Sequence, residues 1–416
     1  MNTIPQDKTP HQFGSQVEGL LDGTANLPRQ EALALILERM VAMASVSDEE
    51  GPLADAVQSA LATCPGWRVD RMGDTVVART DLGRDHRIVM AGHLDTVPIN
   101  ANMPPRWLEP GDREVRPDVA EAHPDSRVLW GRGTADMKAS DAVMLHLAAT
   151  IDNPDYDLTL VFYDHEEVAA EKNGLGRVVS AHPDWVRGDF AIIGEPTNCG
   201  IEAGCNGTMR FDVVTHGVAA HSARAWMGSN AIHAAAPILA RLESYRPRTV
   251  TVDGLDYREG LNATMISGGT GTNVIPDSCR VHVNYRFAPD KSLAEAKALM
   301  MGAAAGVELG KGEHRATGGV FEGFDIEMRD ESPAARPGLA SPWARSLTDL
   351  IARANGSTPR PKLGWTDVAR FSALGIPAVN LGAGDPLLAH KADEQVPLDD
   401  LVSLESILVS WLKERN

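Results

Sequence analysis

Five short segments set carboxylates and imidazoles where apolar runs end: His93 and Asp95 in AGHLDTVP, Asp136 in GRGTADMK, Glu166 and Glu167 in YDHEEV, Glu195 in GEPT, and His390 in LLAHKADE. Oxygen and imidazole donors of this kind suit zinc and similar divalent cations. Together they predict a two-metal hydrolytic centre. In His93-Leu94-Asp95 an extended backbone sends residues i and i+2 to the same side. The Asp95 carboxylate is therefore expected to accept a proton from one imidazole nitrogen while the other faces metal. Glu166 and Glu167 are adjacent like charges that raise each other's pKa unless a cation offsets them. One is expected to ligate metal and the other to hold the attacking water. Asp136 follows Gly131 and Gly133, whose missing side chains allow close backbone approach, and it is expected to open a helix. Glu195 is kept out of helix by Pro196, and His390 follows the turn Gly382-Ala383-Gly384. Taken singly, each has an ordinary reading as a strand-end histidine, a solvated acidic loop, a helix cap or an exposed turn. Their order and shared context carry the prediction.

The elements that must position these residues follow from the apolar pattern. Short apolar runs at 87–92 (RIVMAG), 158–163 (LTLVFY) and 190–193 (FAII) each end just before a candidate ligand, as in open α/β sheets whose chemistry lies outside the strand carboxyl ends. The helix after Asp136 is expected to bury a stripe of Met137, Val143, Met144, Leu147 and Ile151. From about Thr208 the order changes to strand 209–216, helix 230–243, strands 263–267 and 280–287, helix 292–305 and strand 324–330. This βαββαβ order predicts a ferredoxin-like insert. After about Pro333 the α/β pattern resumes, with a helix at 343–354 and a strand at 377–381. Segment 100–128, rich in Pro, Asp and Glu, reads as a solvated loop.

Composition bounds the function. The 416 residues are 43% hydrophobic and 23% charged, ordinary globular values that allow two to three domains. A net charge of −18 repels nucleic acid and anionic membrane surfaces, so neither is expected as a partner. The first residues have no basic and apolar leader pattern, and no long apolar run occurs, so a cytoplasmic protein is expected. Cys64, Cys199, Cys205 and Cys279 have no C-x-x-C spacing and read as reduced structural thiols.

With the five segments in order, the blocks GTADMK, NGLGR, HSARAWMGSNAIHAAAPILARL, REGLNA, NVIPDSC and GWTDVARFSALG make the chain resemble the M20 metallopeptidase family of aminoacylases and exopeptidases over about 33–412. Within that family the blocks are most similar to the desuccinylase branch. The resemblance implies a discontinuous α/β catalytic domain of di-zinc exopeptidase type over 1–207 and 333–416. A ferredoxin-like lid and dimerisation domain would occupy 208–332. It implies two Zn2+, with Co2+ able to substitute: Asp136 bridges them, His93 and Glu195 complete one site, and Glu167 and His390 complete the other. Glu166 is then the general acid/base and Asp95 orients His93. His221 is implied to cross a homodimer interface to stabilise the oxyanion, and Asn273, Arg286, Thr208 and Thr366 to bind substrate. The implied substrate is a small N-acyl amino acid, an N-succinyl diamino acid first. An N-acetyl amino acid, a dipeptide, or a silent metal-binding role is the alternative. Two departures from the family stand out: Cys205-Asn206 where some desuccinylases carry an arginine pair, and Ala139-Ser140 in place of two glycines.

Overall fold

The computed structural model describes residues 19–302 and 313–414. Its centre is an eight-stranded sheet in the order Trp67–Met72, Thr75–Thr80, Asp157–Tyr163, Arg87–His93, Phe190–Ile193, Ala378–Asn380, Glu202–Ala203, Arg360–Pro361. Asp157–Tyr163, Arg87–His93, Phe190–Ile193 and Ala378–Asn380 run parallel, and the Trp67–Thr80 hairpin adds an antiparallel edge. Parallel strands covered on both faces need near-continuous apolar sequence, which explains the unbroken runs read above. Ile88 and Met90 face one way, into a core with helices Arg29–Ala42, Gly51–Ala62, Ala139–Thr150, Pro342–Asn355 and Leu398–Leu412. Val89 and Ala91 face the other, toward Gly174–Ala181 and Val368–Ala373.

The second sheet is antiparallel, ordered Gly260–Gly268, Ser278–Phe287, Gly207–His216, Asp325–Ser332, Glu313–Arg315. Its first four strands have the order a βαββαβ unit adopts, with the first and third in the middle. Met209, Phe211 and Val213 on one strand, and Val281, Val283 and Tyr285 on the next, pack under helices Ala231–Ala234, Ala236–Ser244 and Leu293–Met301. The alternate positions, Thr208 and Arg210 among them, therefore face away from those helices.

Several local expectations need correction. Segment 100–128 is not a plain loop: Arg106–Leu108 pairs with Val128–Trp130, which pairs in turn with Gln395–Pro397, and Pro117–Ala122 is helical. Asp136 does not open a helix, since its φ of −117° and ψ of 94° are extended and the helix starts at Ala139. That helix is enclosed on all sides from Ala139 to Ala148 rather than along one stripe, and Ile151 lies past its end. The helix expected over 230–243 breaks at Ala235, before Pro237. The one expected over 292–305 ends at Met301, where Gly302 turns left-handed, and 303–305 lie outside the described residues.

Candidate metal centre

Each acidic or imidazole group leaves its element at the same end of the parallel sheet. His93 ends its strand and is buried, and beyond it the Leu94 N–H continues the pairing to the Tyr163 carbonyl at 2.7 Å. His93 Nδ1 hydrogen-bonds the backbone carbonyl of Asp95 at 2.9 Å, which leaves Nε2 3.1 Å from Asp136 Oδ1. Asp136 Oδ2 lies 3.3 Å from His390 Nε2, and that nitrogen lies 2.8 Å from Glu167 Oε1. Asp136 thus reaches both histidines, one from each oxygen.

The Asp95 carboxylate does not do what the sequence suggested. It stands 3.6 Å from His93 Nδ1, and instead accepts the backbone N–H of Glu166 at 2.9 Å, that of Glu167 at 3.0 Å, and the Ser47 hydroxyl at 2.7 Å. His165, with φ of 60°, turns the chain so that both N–H groups meet it. Asp136 is held in the same way by a residue the sequence reading left without a role. Glu394 Oε1 accepts the N–H of Ala135 at 3.0 Å and of Asp136 at 3.1 Å, while its Oε2 pairs with Arg132 at 2.6 Å. The spacing of four residues from His390 was its one signal. Glu195 leaves its strand against Gly382, where any Cβ would stand 2.4 Å from the Glu195 carbonyl oxygen, so glycine is required.

The donor atoms form two trios, each within 4.8 Å: His93, Glu166 and Glu167, and Asp136, Glu167 and His390. Glu167 belongs to both. Glu195 belongs to neither; its Oε2 lies 3.6 Å from Lys362 Nζ, yet it lines the same crevice. The electrostatics fit a cation. Burial opposes the His93 charge, but the hydrogen bond to Asp136 and the charges of Asp136, Asp95 and Glu166 outweigh it, so the imidazole is held well above its ordinary pKa. Hydrogen bonds to Asp136 and then Glu167 push His390 up to about 10. Burial, and then Glu167, hold the Glu166 carboxyl well above the usual range. Burial lifts Glu195 to about 7, against Lys362. Protons on imidazole thus offset carboxylate charge that a divalent cation would otherwise balance.

The remaining expected residues divide. Arg286 and Thr208 line the crevice, as do Arg210, Asp330, Ser332, Lys362 and Trp365, which the sequence reading did not single out. For Arg210 the signal was the alternation of polar and apolar residues along 208–212. Thr366 is buried and donates to Asn380 Oδ1 at 2.9 Å, away from the crevice lining. His221 lies on a short ribbon of the second sheet's domain, paired with Val274, the neighbouring Ser222 N–H donates to the Asn273 carbonyl at 2.8 Å, and neither His221 nor Asn273 lines the crevice of its own chain. Cys205 is buried at the crossing into the second sheet, and the Asn206 amide donates to the carbonyls of Arg258 and Leu363. All four cysteines are free and buried. Among the described residues, no helix is long and apolar enough to cross a membrane.

Residues 89–414 match peptidase family M20/M25/M40. A putative succinyl-diaminopimelate desuccinylase of Mycobacterium tuberculosis is 46% identical over 90% of this chain and 96% of its own. A succinyl-diaminopimelate desuccinylase of Corynebacterium glutamicum is 41% identical over 91% and 96%. An acetylornithine deacetylase of Myxococcus xanthus is 29% identical over 91% and 96%. Among solved structures, an M20 family metallo-carboxypeptidase of Sulfolobus solfataricus superposes with a TM-score of 0.69 at 15% identity, covering 93% of this chain and 99% of that one.

Proposed function

The chain belongs to peptidase family M20/M25/M40, and from that premise we propose that it is a metal-dependent amidohydrolase that releases succinate from N-succinyl-LL-2,6-diaminopimelate, serving diaminopimelate and lysine biosynthesis. The observation that carries the substrate is the 46% identity to a putative desuccinylase over 96% of that protein's length. The trio Asp136, Glu167 and His390, with His93 at the other Asp136 oxygen and Glu195 lining the same crevice, supports a pair of Zn2+ ions, replaceable by Co2+. Cations bound there would supply Lewis-acid stabilisation of a carbonyl oxygen and acidify water. Glu166, whose backbone is fixed on Asp95, is placed to take a proton from the attacking water and pass it to the leaving amine. Such a step is worth roughly 10²–10⁴-fold. Burial and then Glu167 hold its carboxyl above the usual range, and a bound cation would oppose that shift and favour the carboxylate that accepts the proton.

The reading divides the chain into a catalytic domain over 1–207 and 333–416 and a lid and dimerisation domain over 208–332. It makes the active species a cytoplasmic homodimer in which His221 of one chain serves the other. Arg286 and Thr208 are assigned to substrate by their place in the crevice, whereas Asn273 would act beside His221 across the dimer. Thr366 would act on substrate only by giving up its bond to Asn380. Succinate release, followed by NMR on N-succinyl-LL-2,6-diaminopimelate and N-acetylornithine, tests the assignment. A higher kcat/KM on N-acetylornithine would overturn it.

A further inference from the structure

The crevice, of about 520 Å3, has a catalytic floor of Asp136, Glu166, Glu167, Glu195 and His390, and a roof taken from the second sheet. Strand register orders that roof in two rows. Arg286, Thr208 and Ser332 lie side by side, and Asn284, Arg210 and Asp330 form the next row, on the same face. Arg210 Nη1 donates to Asp330 Oδ2 at 3.2 Å, while Arg286 gives its Nε to Asn284 Oδ1 at 3.1 Å. Asp330 is the one carboxylate that the second sheet contributes among the described crevice residues. Stability gives little reason for this pair, because half-exposed cross-strand ion pairs add little to a sheet.

The charges on the roof match one part of the ligand. This step rests on the desuccinylase reading, under which the substrate carries two carboxylates near the scissile amide and, at its far end, an ammonium and a carboxylate on one carbon. We propose that Arg210 and Asp330 form the receptor for that zwitterionic end, Asp330 accepting from the ammonium and Arg210 donating to the carboxylate. A guanidinium is suited to paired hydrogen bonds with carboxylate. An ammonium set between Arg210 and Arg286 without Asp330 would meet only like charge. The pair therefore selects amino acids whose side chains end in a second amino-acid group, and it does so through the second sheet rather than the metal-bearing domain.

The test varies acyl group and tail independently. N-succinyl and N-acetyl derivatives of four amino acids are compared: diaminopimelate, lysine acylated at its α-amino group, 2-aminopimelate and norleucine. Their tails end in both groups, ammonium alone, carboxylate alone, or neither. Asp330→Asn should lower kcat/KM on the order of tenfold for the two ammonium tails, and Arg210→Gln should do the same for the two carboxylate tails. Norleucine derivatives should stay within about twofold of wild type; where their turnover is slow, Ki against the diaminopimelate derivative gives the same comparison. Equal losses on all four tails would mean a purely structural pair, and no loss on any tail would mean recognition elsewhere; either result overturns the receptor. Failure of the desuccinylase reading shows separately, as a wild-type preference for the acetyl series at every tail.

Discussion

Asp95 Oδ1 accepts the backbone N–H of Glu166 at 2.9 Å, so the acid expected to steer His93 instead fixes the residue assigned to proton transfer. Its second oxygen holds Glu167 at 3.0 Å, and His93 keeps its own bond to the Asp95 main chain. Asp95→Asn replaces one acceptor by a donor facing an N–H. Turnover is expected to fall by about 10–100-fold, with His93 still able to bind metal. Steady-state kinetics with metal analysis of the same preparation checks this; loss of metal with turnover per bound ion unchanged would contradict it.

Glu166→Gln should retain metal and lose roughly 10²-fold or more in turnover. Glu167→Gln should weaken metal occupancy at one site, because Glu167 completes the donor trio with Asp136 and His390. Metal content and kcat measured on the two variants separate the roles, and the opposite pattern would exchange them.

Metal removal should abolish activity, and zinc or cobalt should restore it. Without a cation, hydrogen bonds to Asp136 and then Glu167 keep His390 protonated at neutral pH, with its pKa pushed up to about 10. Zinc needs neutral imidazole, so rebinding at pH 7 must release protons, and apparent affinity should rise with pH up to that value. Titrating zinc into weakly buffered metal-free protein and following pH tests this. Rebinding with no proton release would contradict the arrangement.

The legible part of the fold was the part written in apolar runs. Strands ending at His93 and before Glu195 could be read because parallel strands are apolar throughout. The role of Asp95 could not, since it depends on the left-handed turn at His165 bringing two N–H groups back across the sheet end. Arg210 and Asp330 are 120 residues apart, and they meet only because a register shift between Met328 and Asp330 sets the facing rows. Pro117–Ala122 was hidden among charged residues because its apolar contribution is small, with Val119 its one buried residue.

Arg132 and Glu394 are 3% and 0% exposed, and their pairing holds the loop that presents Asp136. Arg132→Met leaves a buried carboxylate without its cation, and should cost about 3–5 kcal/mol of stability. Adding Glu394→Gln should recover part of that, because the neutral amide can still accept one backbone N–H. Urea unfolding of metal-free protein measures both, and a single variant as stable as wild type would mean that the pair contributes nothing.

His221 is exposed, and its Nδ1 accepts the Ala223 N–H at 3.1 Å, which leaves Nε2 as the ring atom available to an outside partner. Trp226, on the turn Ser222–Met227 that follows His221, is 80% exposed, and the second sheet ends in the edge strand Gly260–Gly268, where Met265 is 65% exposed. An edge strand and large exposed apolar side chains are features of a surface that pairs with another copy. If His221 serves the partner's crevice, separate Glu166→Ala and His221→Ala dimers should both be nearly inactive. Exchanging their subunits makes heterodimers in which one site keeps its own Glu166 and receives an intact His221. Half of the dimers would be mixed and half of their sites complete, so activity should return to about a quarter of wild type. Subunit exchange shown by mass spectrometry with no recovery of activity would place His221 in its own chain's reaction or outside the reaction altogether.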